Sequence, residues 1–198
     1  MGDLIIKPAS SGSLKIQDQA GTAHITTGTS SGLTLGSAVT FPAGGTGNPI
    51  SIAIIVDQKS DGTNGGTFTA SAWRTRDLNT EVSDPDGIVS ISSNQFTLAA
   101  GTYLIEYSAP AYDTNAHQTK LYDITGSADL NFGTCEHSGS GDATISRSFG
   151  KFIHTITSAN VYEIRHCAET TKSDAGFGLA SASSNVEVFT MVTITKLK

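Results

Sequence analysis

The stretch QFTLAAGTYLIEYSA, residues 95–109, contains two apolar runs on either side of a short Ala-Ala-Gly joint. Large apolar and polar side chains alternate in both runs, and Tyr103, Ile105 and Tyr107 fall on one face of the second run. A period of two residues is typical of a β-strand with one buried face. Gly101 predicts a tight connection, because glycine adopts turn conformations that other residues avoid. The stretch therefore predicts two consecutive strands.

Similar short runs recur between residue 51 and the end of the chain. They span residues 52–56, 67–76, 87–91, 117–124, 145–156, 161–168 and 186–197. Turn-forming residues separate them, most clearly the Asp-Pro-Asp-Gly sequence that ends at Gly87. The sequence shows no stretch of ten or more residues with the i, i+3, i+4, i+7 spacing of an amphipathic helix. A series of short strands with regular turns predicts an all-β sandwich or barrel.

Residues 1–48 differ in character from residues 49–198. They carry no aromatic residue before Phe41, and their short alternating runs are separated by Gly, Ser and Thr. Because such runs are too short to bury a core alone, we expect copies from several chains to intertwine and close each other's edges. We predict an N-terminal shaft or docking arm over residues 1–48 and a head over residues 49–198; a flexible linker is the alternative for the first segment. The apolar side chains predicted to dock on a larger particle are Leu14, Ile16, Ile25, Leu33 and Leu35.

Composition excludes several classes of partner. The chain of 198 residues has a net charge of −6 and no basic block, which argues against nucleic-acid binding. No run approaches the roughly 20 apolar residues that a membrane-spanning helix needs, and we expect no membrane insertion. The N-terminus does not resemble a signal peptide, so we expect synthesis in a cytoplasm. In that reducing compartment Cys135 and Cys167 are expected as buried free thiols, with a disulfide between them as the alternative.

The stretch from Phe96 to Glu106 resembles the signature strand of the tumour necrosis factor (TNF) and complement-type globular heads. Residues 156–164 and 186–198 are similar to later strands of the same family. This resemblance covers about residues 50–198, and it implies a jelly-roll sandwich that assembles as a homotrimer. The collagen repeat that precedes many complement-type heads is missing, so their partners are not carried over. Residues 68–80 and 83–87 look like domains of phage tail fibres and other virion proteins, and the Ser/Gly-rich opening looks like the shafts that precede such domains.

Both faces of the predicted last strand carry large apolar side chains. Val186, Val188, Val192 and Ile194 are predicted on one face, and Phe189 and Met191 on the other. One face serves the core, so we expect a neighbouring subunit to cover the second. Trp73, Arg74 and Arg76 belong to residue types that are enriched at interface cores. The predicted trimer interface therefore comprises Trp73, Arg74, Arg76, Tyr103, Tyr107, Phe189 and Met191, although Tyr103 and Tyr107 also suit the core.

Few residues of the sequence suggest catalysis or metal binding. Gly28–Gly32 matches Gly-x-Ser-x-Gly but lies in a Ser/Thr tract rather than between a strand and a helix. The histidines at 117, 137, 154 and 166 lack the paired spacing of metal ligands, which leaves open only one histidine per chain meeting on a trimer axis. The acidic pairs Asp84/Asp86 and Asp57/Asp61 suit turns better than calcium. We therefore expect no catalytic residue, no metal and no cofactor.

These features lead to one expectation and one alternative for function. We expect a homotrimeric structural protein on the surface of a bacteriophage virion, either a capsid decoration (cement) protein or a short fibre. Its arm would attach it to other capsid or tail proteins. The alternative is the receptor-binding head of a tail fibre that recognises a host surface glycan or protein. An enzyme such as a glycan depolymerase would need a pair of carboxylates in a cleft, and the sequence offers no evident pair.

Overall fold

A computed structural model describes residues 15–17, 23–27, 33–35, 50–183 and 185–197. The chain divides into two compact units, residues 1–49 and residues 50–198. The described part of the first unit is an antiparallel sheet in the order β1-β2-β3, with strands β1 (Lys15–Gln17), β2 (Ala23–Thr27) and β3 (Leu33–Leu35). The Gly28–Gly32 motif lies outside the described residues.

Four of the five predicted docking residues lie on these three strands. Ile25 on β2 pairs with Ile16 on β1 and with Leu35 on β3, and Leu33 is the first residue of β3. Leu14 lies outside the described residues. The strand character predicted for this segment is therefore present in the backbone, while the docking role stays a prediction.

The second unit contains eleven strands and no helix among its described residues. They are β4 (Ser51–Lys59), β5 (Arg74–Thr75), β6 (Thr80–Ser83), β7 (Val89–Ser92), β8 (Gln95–Leu98), β9 (Gly101–Tyr112), β10 (Ala116–Asp123), β11 (Ala128–His137), β12 (Ile145–Ile156), β13 (Asn160–Ala168) and β14 (Glu187–Lys196). The described part of the chain therefore offers no helix that could cross a membrane.

These strands form two antiparallel sheets that pack face to face. The five-stranded sheet has the order β12-β9-β14-β4-β6, and the six-stranded sheet has the order β11-β10-β13-β8-β7, with β5 paired to β13. The core between them includes Tyr103 and Ile105 from the first sheet and Phe96, Leu121 and Ile164 from the second, all fully buried. The expectation of an all-β jelly-roll sandwich is confirmed.

Gly150 on β12 shows how tightly the two sheets are joined. It pairs with Tyr107 on β9, and a Cβ atom at this position would overlap the tyrosine ring. The ring can therefore lie across β12 and place its hydroxyl 3.0 Å from both the carbonyl and the side-chain oxygen of Asn131 on β11. Burial raises the pKa of this phenol. Tyr107 is thus a link between the sheets.

Three strand assignments differ from the sequence prediction. The predicted strand over residues 67–76 is reduced to β5 and an isolated bridge at Phe68, because the backbone at Ser71 turns into the left-handed region with φ of 62°. Strands β6 and β11 were not predicted. Both lie at sheet edges and leave most side chains exposed or half-buried, so their sequences lack a clean apolar alternation.

Candidate subunit interface

Strand β14 contains an irregularity that changes which residues share a face. Its register with β4 shifts between Val188 and Met191, where two residues of β14 oppose one residue of β4. This β-bulge turns both Phe189 and Thr190 inward, whereas Val188 and Met191 are exposed. The predictions that Phe189 shares a face with Met191, and Val188 with Val192, are therefore wrong.

The outer face of the five-stranded sheet is built from neighbouring rows of side chains. One row contains Phe149, Ser108 and Met191 on β12, β9 and β14. The next contains Lys151, Glu106, Thr193 and Ile54, and the third contains Ile153, Leu104, Thr195 and Ile52. Because alternate residues of each strand point to opposite faces, these rows point away from the core. We call this set of side chains the outer apolar face.

Large apolar groups on this face remain in contact with solvent in the single chain. Phe149 is 55% exposed, Ile153 is 61% exposed and Met191 is 43% exposed. Single exposed apolar residues are normal on protein surfaces, but several large ones on one sheet face are typical of an interaction surface. Two apolar faces on one sheet need two covers, and the core supplies only one.

Charged groups interrupt the apolar rows at one place. Lys151 donates to Glu106 across the β12–β9 pair at 2.7 Å, and both side chains are substantially exposed. An exposed pair of this kind contributes only about 0–1 kcal/mol to stability. Within an interface, it would instead fix the register of the two partners, because each charge needs its counter-charge when water is removed.

A depression of about 590 Å³ opens on the same face. Its lining includes Phe132 from β11, Phe149 and Gly150 from β12, and Met191 from β14. The volume is in the range of roughly 300–1,000 Å³ that binding pockets have, so it suits a protruding apolar side chain of a second molecule.

Most of the residues predicted for the trimer interface lie elsewhere. Arg76, Tyr103, Tyr107 and Phe189 are buried within one chain. Arg76, Tyr103 and Phe189 are enclosed by their own subunit, so their place at the interface is corrected to a place in the core. Tyr107 is buried as well but also lines the depression, so its interface role stays a prediction. Met191 alone of the seven lies on the outer apolar face.

Trp73 and Arg74 lie beside the other sheet. The Trp73 ring is half-buried, with its centroid 6.0 Å from that of Phe132 and with the ammonium of Lys120 stacked 4.2 Å from it. Arg74 is half-buried and donates from Nε to the carbonyl oxygen of Thr69. Neither residue is part of the outer apolar face, which leaves their interface role a prediction without a contact that supports it.

The sequence reasoning missed Phe149 and Ile153 on β12. Both faces of this strand carry large apolar groups, with Phe152 and Ile156 on the inner face. The signal that could have found them is the two-faced pattern, which was applied to the last strand alone.

Arg76 has an internal role in place of an interface role. Its Nε donates to Thr190 Oγ1 at 2.9 Å, its Nη1 donates to the carbonyl oxygen of Pro110 at 3.2 Å, and its Nη2 donates to that of Phe177 at 2.7 Å. The guanidinium also stacks on the Phe177 ring at 4.2 Å. Burial lowers the pKa of Arg76 to about 9, although the cation is still the main form at neutral pH. Arg76 therefore ties a loop to the end of the sandwich.

The acidic residues considered for calcium serve other purposes. The Asp84 carboxylate accepts hydrogen bonds from the backbone N–H groups of Ile88 and Val89, each at 2.9 Å, so it closes the turn before β7. Asp57 is buried and lies 3.1 Å from the ammonium of Lys59. Asp61 accepts a hydrogen bond from the backbone of Asn185. Across the described ranges, no three His, Cys, Asp or Glu side chains are grouped to hold a metal ion.

The two cysteines are free and lie on one face of the six-stranded sheet. Cys135 on β11 and Cys167 on β13 each pair with Gln118 on β10, from opposite sides. Two strand spacings separate them by about 10 Å, beyond the roughly 7 Å limit between Cα atoms of a disulfide. The expectation that both are buried is wrong: Cys135 is exposed because β11 is an edge strand, and Cys167 is half-buried.

Comparison with known proteins agrees with the architecture. No model of a known protein family matches the chain, and no curated protein matches it. Among solved structures, Eiger TNF from S. frugiperda superposes with a TM-score of 0.51 at 13% identity, over 76% of this chain and 94% of that one. Murine APRIL at pH 8.5 gives 0.47 at 10% identity over 75% and 100% of the two chains. The globular domain of zebrafish complement 1qA gives 0.47 at 12% identity over 76% and 98%.

The described sandwich is thus a jelly roll of the type found in Eiger TNF. At this level of identity the likeness establishes the fold, and a shared fold does not carry a shared function.

Proposed function

We propose that this chain is a homotrimeric structural protein whose head associates through the outer apolar face. The observation that carries the proposal is the exposure of Phe149, Ile153 and Met191 on one face of a sheet whose opposite face already forms the core. Burying apolar area contributes roughly 25 cal/mol per Å², so three such side chains on each subunit add several kcal/mol to assembly.

The resemblance to TNF and complement-type heads supports three copies rather than two. A threefold ring also suits the geometry of the surface, because the outer apolar face is broad and has a depression at one side. In a ring, the same face of each subunit meets a different surface of the next one, and the ring closes without free interfaces.

The proposed place of the trimer is the surface of a bacteriophage virion. Two features support this role: the resemblance of residues 68–80 and 83–87 to virion domains, and the separate N-terminal unit, in which three short strands are described. In this proposal residues 1–48 attach the protein to capsid or tail proteins, and residues 49–198 are displayed. The protein would be made in the host cytoplasm. A receptor-binding head that recognises a host glycan or protein is the second candidate, and the half-buried Trp73 beside a groove favours it.

A non-catalytic role is part of the same proposal. The depression on the outer apolar face is lined by one carboxylate, that of Glu106, which is paired with Lys151. Hydrolysis of a glycoside requires two carboxyl groups across a cleft. The arrangement at this face favours association over catalysis.

Sedimentation of the full chain tests the association. We expect the wild-type protein to sediment as a trimer and Phe149→Asp to sediment as a monomer, because the substitution places an unpaired charge in the interface. Leu179→Asp is the matched control, since Leu179 is similarly exposed, at 47%, but lies in a loop outside the outer apolar face. A trimeric Phe149→Asp variant, or a wild-type monomer at micromolar concentration, would reject the proposed interface.

The virion role has its own test. Antibody against the chain, applied to intact phage particles grown from the genome that encodes it, should label the particle surface. The full chain carrying Ile16→Asp and Ile25→Asp should remain trimeric and fail to bind particles that lack the native protein. Normal occupancy of this variant would show that the arm is not the anchor, and unlabelled particles would reject the virion role.

A further inference from the structure

Two buried histidines form a bridge between the sheets at one end of the sandwich. His117 on β10 and His166 on β13 lie in the six-stranded sheet, with His117 Nδ1 at 2.9 Å from His166 Nε2. The second ring nitrogen of His117 lies 2.8 Å from Ser146 Oγ on β12, which belongs to the five-stranded sheet. Both rings are buried in the single chain. The hydrogen bonds from His166 to His117 and from His117 to Ser146 therefore connect the two sheets.

The hydrogen-bond partners of the two histidine rings suit only their uncharged forms. Nδ1 of His166 is buried and has no partner. The tautomer that avoids a buried N–H without an acceptor has His166 Nε2–H donating to His117 Nδ1 and His117 Nε2–H donating to Ser146 Oγ. An additional proton can then be placed only on the partnerless Nδ1 of His166, or between the two rings with loss of their hydrogen bond. Either choice leaves a buried charge without an acceptor.

The charges around the rings do not compensate for this cost. The positive charge of Arg76 opposes protonation of both histidines, and His137 at the end of β11 opposes protonation of His117. The opposing influence is that of Glu136, which favours a charged His117. Burial is the largest effect on both rings: it lowers the pKa of His117 to about 4 and that of His166 well below its ordinary value.

Arg76 itself is not neutralised by a contact with a carboxylate. Its three hydrogen-bond acceptors are a hydroxyl and two carbonyl oxygens. Asp57 and Asp77 act on it at longer range, and Arg147 on β12 adds a second positive charge nearby. A protonated histidine would therefore be a further positive charge in a buried region that already holds a cation.

We propose that His117, His166 and Ser146 form an acid-sensitive joint, which holds β12 against the six-stranded sheet at neutral pH and opens when the rings are protonated. This inference goes beyond the proposed function and does not depend on it, because all three residues belong to one chain. Protons can reach the joint, since His117 lines a groove of about 330 Å³ together with Trp73 and Cys167.

The direction of the effect follows from the proton balance. Between the ordinary histidine pKa of about 6.5 and a value of about 4, the opened joint binds protons that the closed joint does not. The closed form is therefore fully favoured above about pH 6.5 and loses stability as the pH falls through this window. For each pH unit of acidification, protonation of one ring increases the equilibrium constant for opening by up to about tenfold, and protonation of both rings by up to about a hundredfold.

Hydrogen exchange of the full chain, followed by mass spectrometry between pH 7 and pH 4.5 and corrected for intrinsic exchange rates, tests the joint. We expect peptides covering residues 116–119 and 145–149 to lose protection by at least tenfold per pH unit below pH 6. Peptides covering residues 103–107 in the centre of β9 should keep theirs. The double variant His117→Gln/His166→Gln should remove most of the pH dependence, whereas His154→Gln, a half-buried histidine on the same strand as Ser146, should preserve it.

An unchanged pH dependence in the double variant would overturn the proposal. Should that variant fail to fold, side-chain NMR titration of the wild-type histidines decides the question. The proposal requires that His117 and His166 remain neutral until the local amide signals change. A histidine at either position that titrates near pH 6.5 with the neighbouring amide signals unaltered would contradict it.

Discussion

Replacing Gly150 with alanine probes the contact that joins the sheets. The added Cβ would overlap the ring of Tyr107, so the ring has to move away from β12. Overpacking a core position costs about 1–3 kcal/mol. Displacement of the ring also breaks the contact of its hydroxyl with Asn131, and a buried polar group left without a partner costs about 1–3 kcal/mol more. The expected loss is therefore about 2–6 kcal/mol, a large part of the roughly 5–15 kcal/mol that stabilises a typical domain.

Equilibrium denaturation of the full chain in guanidinium measures this loss. The wild type and Gly150→Ala should be compared at the same protein concentration, because assembly contributes to the stability of an oligomer. The double variant Gly150→Ala/Tyr107→Val makes room for the new methyl group and should recover part of the loss. A destabilisation below about 0.5 kcal/mol for Gly150→Ala, the size of a typical surface substitution, would refute the close approach of Tyr107 to β12.

Three further outcomes follow from the described contacts. Asp84→Ala should lower stability by about 1–3 kcal/mol in thermal unfolding, because it removes two hydrogen-bond acceptors of the turn before β7. Asp84→Asn should lose less stability than Asp84→Ala. Equal melting temperatures for the wild type and both variants would contradict the turn assignment. Backbone N–H groups of residues 181 and 182 and of Gly62 lower the pKa of Glu187. The carboxylate therefore stabilises the fold above the ordinary glutamate pKa, and this stabilisation is lost as the pH falls through the pKa of the folded protein. Glu187→Gln should flatten the acid side of the plot of stability against pH, and an unaltered plot would argue against this role. Cys135 should react with a thiol reagent faster than Cys167 under native conditions, and an unreduced mass lower by two hydrogens would show instead that the two are paired.

Regular alternation made several strands predictable from the sequence. Strand β9 places Tyr103, Ile105 and Tyr107 on its inner face, as the period of two residues indicates. Strand β13 likewise places Tyr162, Ile164 and Ala168 on its inner face, although Glu163 between them is buried as well. In both cases one physical rule decides the structure, because successive side chains of an extended chain point to opposite faces.

Features that interrupt this rule could not be predicted in the same way. The β14 bulge reverses the faces of the strand, but neither Phe189 nor Thr190 carries a local signal for an extra residue. Arg76 was predicted at the interface because arginine is enriched at interface cores. Its actual acceptors come from residues 110, 177 and 190, far away in sequence. The His117–His166 contact likewise depends on the order of the strands in the sheet.

The outer apolar face was predictable in principle and found only in part. The two-faced pattern of the last strand led to Met191, which is on this face. Applied to residues 145–156, the same reasoning would have indicated Phe149 and Ile153. The neighbouring positions of these residues depend on the pairing of β12 with β9 and of β9 with β14, which alternation within each strand does not determine.

Oxidation of Met191 tests the central claim most directly. This side chain is 43% exposed in the single chain, so an unassembled head leaves its sulfur accessible to hydrogen peroxide. The oxidation rate of Met191 should be measured by mass spectrometry in the native protein at micromolar concentration, in Phe149→Asp and in the unfolded chain. If copies of the chain cover the outer apolar face, native Met191 is oxidised at least tenfold more slowly than in Phe149→Asp. A native rate equal to that of Phe149→Asp would show that this face is open to solvent and would contradict the proposed assembly.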